Sequence, residues 1–310
     1  MIIFGPIPSR RLGRSLGINN IPPKVCSYSC IYCQIGATDS MSITRQEFFS
    51  SDDIFNKVEK KIQQLQKINK KIDYLTFVPD GEPTLDINLG KTIDKLKSFG
   101  IKIAVITNAS LIWKKEVQND LMQADWVSVK IESTYENIWR KIDRPHGSLE
   151  FDKIITGIKE FASSFKGTLV TETMLVNSVN DNLESLSKTA QLIREINPSK
   201  SYILTPTRPP AEKSVKVPSE YLLNMAYQIY SSLLNNVELI VYNEGVDFSY
   251  SSDAEKELLS ILSVHPMRKD AVEEFLLKAN SGWKLIDDLK NMRVLQEIEY
   301  SGSTYFIKKI

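Results

Sequence analysis

The chain has 310 residues, 42% of them hydrophobic, and a formal net charge of +1. That is enough apolar material for one large domain, or a large and a small one, and it excludes a disordered chain. No apolar run approaches the roughly 18 residues that a membrane span needs. The N-terminal MIIFGPIPSRR breaks at Gly5 and Pro6 before a signal-peptide core develops, so a cytoplasmic protein with no membrane partner is expected. The near-neutral total argues neither for nor against a polyanionic partner, but residues 1–45 hold Arg10, Arg11, Arg14, Lys24 and Arg45 against Asp39 alone.

In chain order, residues 15–19 read as a first strand leading into the loop 25–36, VCSYSCIYCQIG. Ser51 is expected to cap a helix whose Ile54, Phe55, Val58, Ile62, Leu65 and Ile68 recur at helical spacing. Residues 73–79 are a compact β-rich run, after which DGEPT turns the chain into a second helix near 86–99, stopped by Gly100. A third strand (101–107), a helix (113–122) and a fourth strand (126–132) follow. Helices then begin near Tyr135 and Phe151, with a strand at 168–176, a helix around 183–195 and a strand at 201–205.

Six strands alternating with helices predict an α/β fold with a parallel sheet, closed or nearly closed into a barrel with its function at the strands' C-terminal ends. Periodicity alone does not separate this from an open doubly wound sheet. A helix at 219–234 and a strand at 238–242 finish a large domain, 1–248, and the polar stretch 243–253 reads as a linker. The small domain, 249–310, is expected to have helices at 254–262, 270–277 and 282–292, then strands at 294–300 and 304–308, the element order of a winged helix. From Asp253 onward it carries nine Lys and Arg against ten Asp and Glu. Its third helix holds Asp287 and Asp288, which disfavours DNA as a partner.

All three cysteines fall in the one loop, as Cys26, Cys30 and Cys33. Closely spaced thiolates in a short loop can gather round a polynuclear metal centre. A structural zinc site wants four ligands, and only His146 and His265 could complete one. A disulfide framework leaves one cysteine over. A four-iron cluster held by three cysteines leaves one iron with an open position, where a small molecule can chelate.

CSYSCIYC resembles the CxxxCxxC signature of the radical S-adenosylmethionine superfamily, with Tyr32 as the aromatic residue before the last cysteine. The flank GPIPSRRLGRSLGIN, residues 5–19, resembles the branch containing tRNA wyosine-synthesis proteins and related uncharacterised iron–sulfur oxidoreductases. The resemblance implies a partial (β/α)6 TIM-like barrel, a [4Fe–4S] cluster on the three cysteines and S-adenosyl-L-methionine (SAM) at the fourth iron, near Tyr32. It further implies an electron donor of the reduced flavodoxin or ferredoxin type, and a 5′-deoxyadenosyl radical that abstracts hydrogen from a substrate. Wyosine enzymes use additional cysteines for a second cluster, and this chain has none left. Wyosine synthesis itself is therefore disfavoured; the expected substrate is a macromolecule, tRNA or alternatively a protein or peptide. A reading from another class is a non-catalytic iron–sulfur regulator acting through the winged helix.

The remaining candidates sit at strand ends. DGEPT matches the family's GGE-like motif for the methionine amino group, which places Gly81 and Glu82 at the cosubstrate and puts Asp80 where the family has its first glycine. Ser128, Lys130 and Glu132 alternate with Val127, Val129 and Ile131, so a strand expected to be buried on both faces has one polar face. Buried charge needs a partner or a task. By family analogy Ser128 contacts the cosubstrate and Lys130 is the catalytic candidate; the structural alternative is a Lys–Glu pair filling the barrel. Glu172 in VTETMLV poses the same choice, between the nucleoside and Lys130. Thr107 and Asn108 after the third strand, and Thr205 with Arg208 after the sixth, are candidates by position. His146 reads as a loop hydrogen bond, and His265 is assigned no role.

Overall fold

The computed structural model describes residues 2–78, 80–241, 245–248, 250 and 253–309. The elements of the larger part begin with β1 (Ile3–Ser9), β2 (Gly13–Ile18), β3 (Val25–Cys26), β4 (Ser40–Met41), α1 (Ser51–Lys67), β5 (Tyr74–Phe77) and α2 (Leu89–Leu96). Next come β6 (Lys102–Thr107), α3 (Lys115–Leu121), β7 (Trp126–Lys130), α4 (Glu136–Asp143), α5 (Phe151–Ser164), β8 (Thr168–Met174) and α6 (Leu183–Ile196). The series closes with β9 (Lys200–Leu204), α7 (Glu220–Leu233) and β10 (Val237–Ile240). The C-terminal part holds α8 (Ala254–Val264), β11 (Met267–Arg268), α9 (Lys269–Lys278), α10 (Lys284–Asn291), β12 (Leu295–Tyr300) and β13 (Ser303–Lys308).

Eight strands form one sheet in the order β1-β2-β5-β6-β7-β8-β9-β10. Every neighbouring pair is parallel except β1 with β2. One face of the sheet carries the main core, in which Leu75, Ile103, Val127 and Ile203 pack against residues of α1 to α7 such as Val58, Ile93, Val117, Ile158, Ile193 and Ala226. The other face has a smaller core of Leu12, Ala104, Trp126, Val170, Tyr202, Leu204 and Ile240, with no helical residue in it. Helices on one side only and strand side chains meeting on the other describe a curled sheet rather than a doubly wound one. Among the described residues β1 and β10 do not pair, so the barrel is partial.

Several boundaries differ from expectation. The N-terminal run read only as a chain break is the edge strand β1; its register with β2 shifts between Phe4 and Ile7, and an edge strand with such an irregularity tolerates Pro6. The cap of α1 is Ser50, whose hydroxyl accepts from Asp53 N at 3.1 Å, while Ser51 is buried in the first turn. The serine doublet made either choice possible. In place of one helix over 86–99 stand a 3₁₀ turn at Pro83–Leu85, α2, and a second turn at Lys97–Phe99 that ends in the left-handed Gly100 (φ 65°). Strand β7 stops at Lys130, so Glu132 lies in the loop beyond it. The expected strand ends at Pro79 and Tyr242, and residues 243, 244, 249, 251 and 252 around the linker, lie outside the described residues.

The C-terminal helices and hairpin surround their own core of Phe248, Leu258, Ile261, Val272, Phe275, Ile286 and Phe306. The short strand β11, absent from the sequence reading, adds to β13 on the side opposite β12. This unit packs on the barrel. Tyr300 and Tyr305 donate their hydroxyls to the carbonyls of Pro206 and Thr207, each at 2.8 Å, and Lys61 meets Glu257 at 3.2 Å. No helix among the described residues is long and apolar enough to cross a membrane.

Candidate active site at the barrel mouth

Parallel strands bring their C-terminal ends to one rim, where the segments following them enclose a cavity of about 270 Å³. The cysteine loop crosses this rim and is pinned at both flanks. Lys24 N donates to Asp80 O at 2.6 Å and Glu82 N to Val25 O at 3.2 Å, while Ser29 N and Ile31 N donate to the carbonyls of Asp143 and Ile142 at the end of α4. Gly81 is required by this docking, because a Cβ there would stand 1.9 Å from Val25 O. The close approach it permits is thus by the chain's own cysteine loop.

Glu82 is 1% exposed and holds four hydrogen bonds. Its Oε1 accepts from Thr84 N (3.0 Å), the Thr84 hydroxyl (2.6 Å) and the Thr107 hydroxyl (2.5 Å), and its Oε2 accepts from Asn108 N (2.7 Å). Burial pushes its pKa up although these donors oppose the shift. The carboxylate is therefore oriented, with Oε1 saturated and acceptor capacity left at Oε2 on a cavity-lining residue. Thr107 and Asn108 line the cavity too. Asn108 Nδ2 also donates to the Ser27 hydroxyl at 3.0 Å and lies 3.6 Å from Cys26 Sγ.

Cys26, Cys30 and Cys33 are free and all line the cavity. Burial, reinforced by Glu82, raises the Cys26 thiol to about 12; burial and Asp143 raise Cys30, and burial raises Cys33. Thiols in such surroundings become thiolate ligands when a metal centre supplies positive charge. Among the described residues no three His, Cys, Asp or Glu side chains are gathered as a single ion would need. Three cysteines lining one cavity suit a polynuclear group, in which each thiolate meets a different iron. On this donor set the residues fit a cluster better than a closed zinc site.

A charged group lines the same cavity. Lys130 Nζ sits 5.1 Å over the Tyr32 ring, and the Tyr32 hydroxyl donates to Glu132. Arg11 pairs with Glu172, which also accepts from Ser128 at 2.6 Å. Burial would strip the Lys130 proton, but Glu172 and Glu132 together outweigh it and raise its pKa. For Glu172 burial is likewise outweighed, by Arg11, Lys130 and Ser128, so its carboxyl is held below the usual range. Lys130 thus feels the charge of both expected carboxylates, although the ion pair of Glu172 is with Arg11, and it lines the cavity with Tyr32 and Glu172.

Two expected cosubstrate residues stand elsewhere. Ser128 is fully buried behind Glu172, which takes its hydroxyl, and it does not line the cavity. Thr205 is buried and also off the lining, whereas its neighbours Leu204 and Arg208 are on it. The basic residues divide: Arg10, Arg11 and Lys24 line the cavity, Arg14 does not. His146 makes a loop hydrogen bond, its Nδ1 accepting from Ser148 N at 3.2 Å. His265, given no role from sequence, is 5% exposed and lines the cavity beside Val264. Asp143 was also missed. It accepts from the Cys30 thiol at 3.2 Å, and burial, with Glu132, holds its pKa well above the carboxylate range. Neither residue has a local sequence signal, because both reach the site only through packing.

The chain belongs to the radical SAM superfamily, whose model matches residues 20–193. It is a radical SAM enzyme of unknown reaction. A UPF0026 protein of Methanocaldococcus jannaschii is 48% identical over 311 residues, covering 100% of this chain and 96% of that one. Among solved structures, a radical SAM methyltransferase from Sphaerobacter thermophilus matches with a TM-score of 0.59 at 14% identity, over 75% of this chain and 68% of that one. Streptococcus suis SuiB bound to S-adenosylmethionine matches at 0.53 and 13% identity, over 72% and 49%. At such identities the two structures speak for the fold alone.

Proposed function

We propose that Cys26, Cys30 and Cys33 hold a [4Fe–4S] cluster, that SAM binds against it with its amino group toward Glu82, and that a macromolecular substrate meets the cavity mouth. The observation that carries this reading is that three half-buried cysteines, the oriented Glu82 and the Lys130–Tyr32–Glu172 group all line one cavity. The bound cluster and cosubstrate supply a carbon radical able to remove a hydrogen atom from the substrate. The chain's residues do the rest. Gly81 and Val25 set the cysteine loop against the strand ends, Asn108 supports Cys26, and Lys130 and Tyr32 orient the groups facing them. A reduced flavodoxin or ferredoxin is the electron donor that suits such a centre, in a cytoplasmic setting.

The test is anaerobic reconstitution followed by incubation with reductant and SAM. Close to four irons and four sulfides per chain are expected from three-cysteine ligation, with 5′-deoxyadenosine as product. Serine at any one of the cysteines should abolish both. Stoichiometric zinc in protein that refuses iron would refute the reading.

For the substrate we favour tRNA, on the support of Arg10 and Lys24 at the cavity, Arg11 being engaged by Glu172. We read residues 249–310 as a winged-helix domain, separate from a barrel of residues 1–248, that helps position it. Phosphate docking should weaken steeply with salt. Comparison of tRNA nucleosides from cells with and without the gene decides between RNA and protein: identical profiles, with no salt-sensitive tRNA binding, would leave a polypeptide as the substrate.

A further inference from the structure

The residue before Gly81 is an aspartate with an unusual environment. Asp80 is 2% exposed and lines the cavity together with Gly81 and Glu82. Its backbone is fixed on both sides, its N–H donating to Asn19 Oδ1 at 3.2 Å and its carbonyl accepting from Lys24 N at 2.6 Å. Asn19 Nδ2 lies 3.5 Å from Oδ2. Oδ1 is buried and has no hydrogen-bond partner. A buried carboxylate oxygen left unpaired is costly, which marks it as an acceptor whose donor arrives with a ligand.

The donor count at the neighbouring carboxylate says which ligand group this is. An ammonium brings three N–H donors, and a carboxylate offers about two acceptor positions per oxygen. Thr84 and Thr107 saturate Glu82 Oε1, and Asn108 takes one position on Oε2, so Glu82 alone meets about one of the three donors. Asp80 lines the same cavity, and its unpaired Oδ1 is a further acceptor beside Glu82. We infer that Asp80 is a second carboxylate contact for the α-ammonium group of SAM, and that this chain recognises the amino-acid end of its cosubstrate with an acid pair where one acid would leave donors unmet.

The inference rests on the proposed placement of SAM. Burial pushes the Asp80 carboxyl up to about 7, with the charge of Lys308 acting in the opposite direction. Asp80→Asn preserves shape and keeps the contacts with Asn19, so folding is not at risk. Asp80→Gly removes the side chain altogether, and thermal melts of both variants check the fold.

Calorimetric titration of cluster-loaded protein with three probes tests the assignment. SAM and S-adenosylhomocysteine carry the ammonium, whereas 5′-methylthioadenosine lacks the whole amino-acid end. Both substitutions should weaken the first two probes by about tenfold or more, the scale of a charge-assisted hydrogen bond, and leave the third unchanged. Equal weakening of all three probes would make Asp80 a structural residue and overturn the inference. Unchanged SAM affinity would overturn it too, with the rest of the site standing. Failure of the unsubstituted, cluster-loaded protein to bind SAM would instead remove the proposed placement itself, and this inference with it.

Discussion

The side-chain amide of Gln34, the residue after Cys33, donates to the main-chain carbonyl of Val264 at 2.9 Å. Its carbonyl oxygen accepts from Arg208, which follows β9. One side chain therefore ties the cysteine loop to the barrel rim and to the end of α8, at the residue before the cavity-lining His265. Gln34→Ala should lower stability by about 1–2 kcal/mol, the scale of two such bonds. It should also speed iron loss from cluster-loaded protein to a chelator. Unfolding and chelation rates identical to the parent would show that the link is incidental.

Glu82 is the second test. Alanine there would orphan the donors of Thr84, Thr107 and Asn108, so glutamine is the cleaner substitution. Glu82→Gln should retain the cluster and weaken SAM by about 1.5–3 kcal/mol through loss of the charge. Calorimetry on the loaded protein reads this directly, and parental affinity would place the amino group elsewhere.

Lys130 separates function from packing. Its charge lies among Glu172, Glu132 and the Tyr32 ring, so Lys130→Met should lower the melting temperature in any case. We expect loss of deoxyadenosine formation as well, in variant protein that still folds and loads its cluster. Normal turnover would reduce Lys130 to half of a structural pair.

Asp80 also predicts a pH effect on cluster-free protein. Its folded pKa of about 7 lies above the ordinary aspartate value, so the native state binds this proton more tightly than the unfolded chain does. Its contribution is thus most favourable at low pH and is lost as pH rises from about 4 through 7. Asp80→Asn should raise the melting temperature at pH 8, and the gain should vanish near pH 4. A gain independent of pH would mean that the Asp80 carboxyl is not perturbed.

The helical stripe of Ile54, Val58, Ile62 and Leu65, the βα alternation and the cysteine spacing were legible in the sequence because each is a local pattern with a local cause. The radical SAM assignment likewise followed from the loop and its flank, and the family match bears it out. Ser128 could be recognised as unusual in a buried strand and Thr205 as a candidate by position, but the sequence could not show that neither lines the cavity. Which side of a neighbour a side chain occupies depends on how the strands curl. Tertiary structure alone decided that Gly81 is spent on the Val25 carbonyl, that cavity-lining Asp80 keeps an unpaired buried oxygen, and that Asp143 reaches Cys30. It also brought His265 from the far end of the chain to the cysteines, because the C-terminal unit buries its contact surface on the barrel rim. Contacts between residues 113 to 230 positions apart leave no trace in local periodicity.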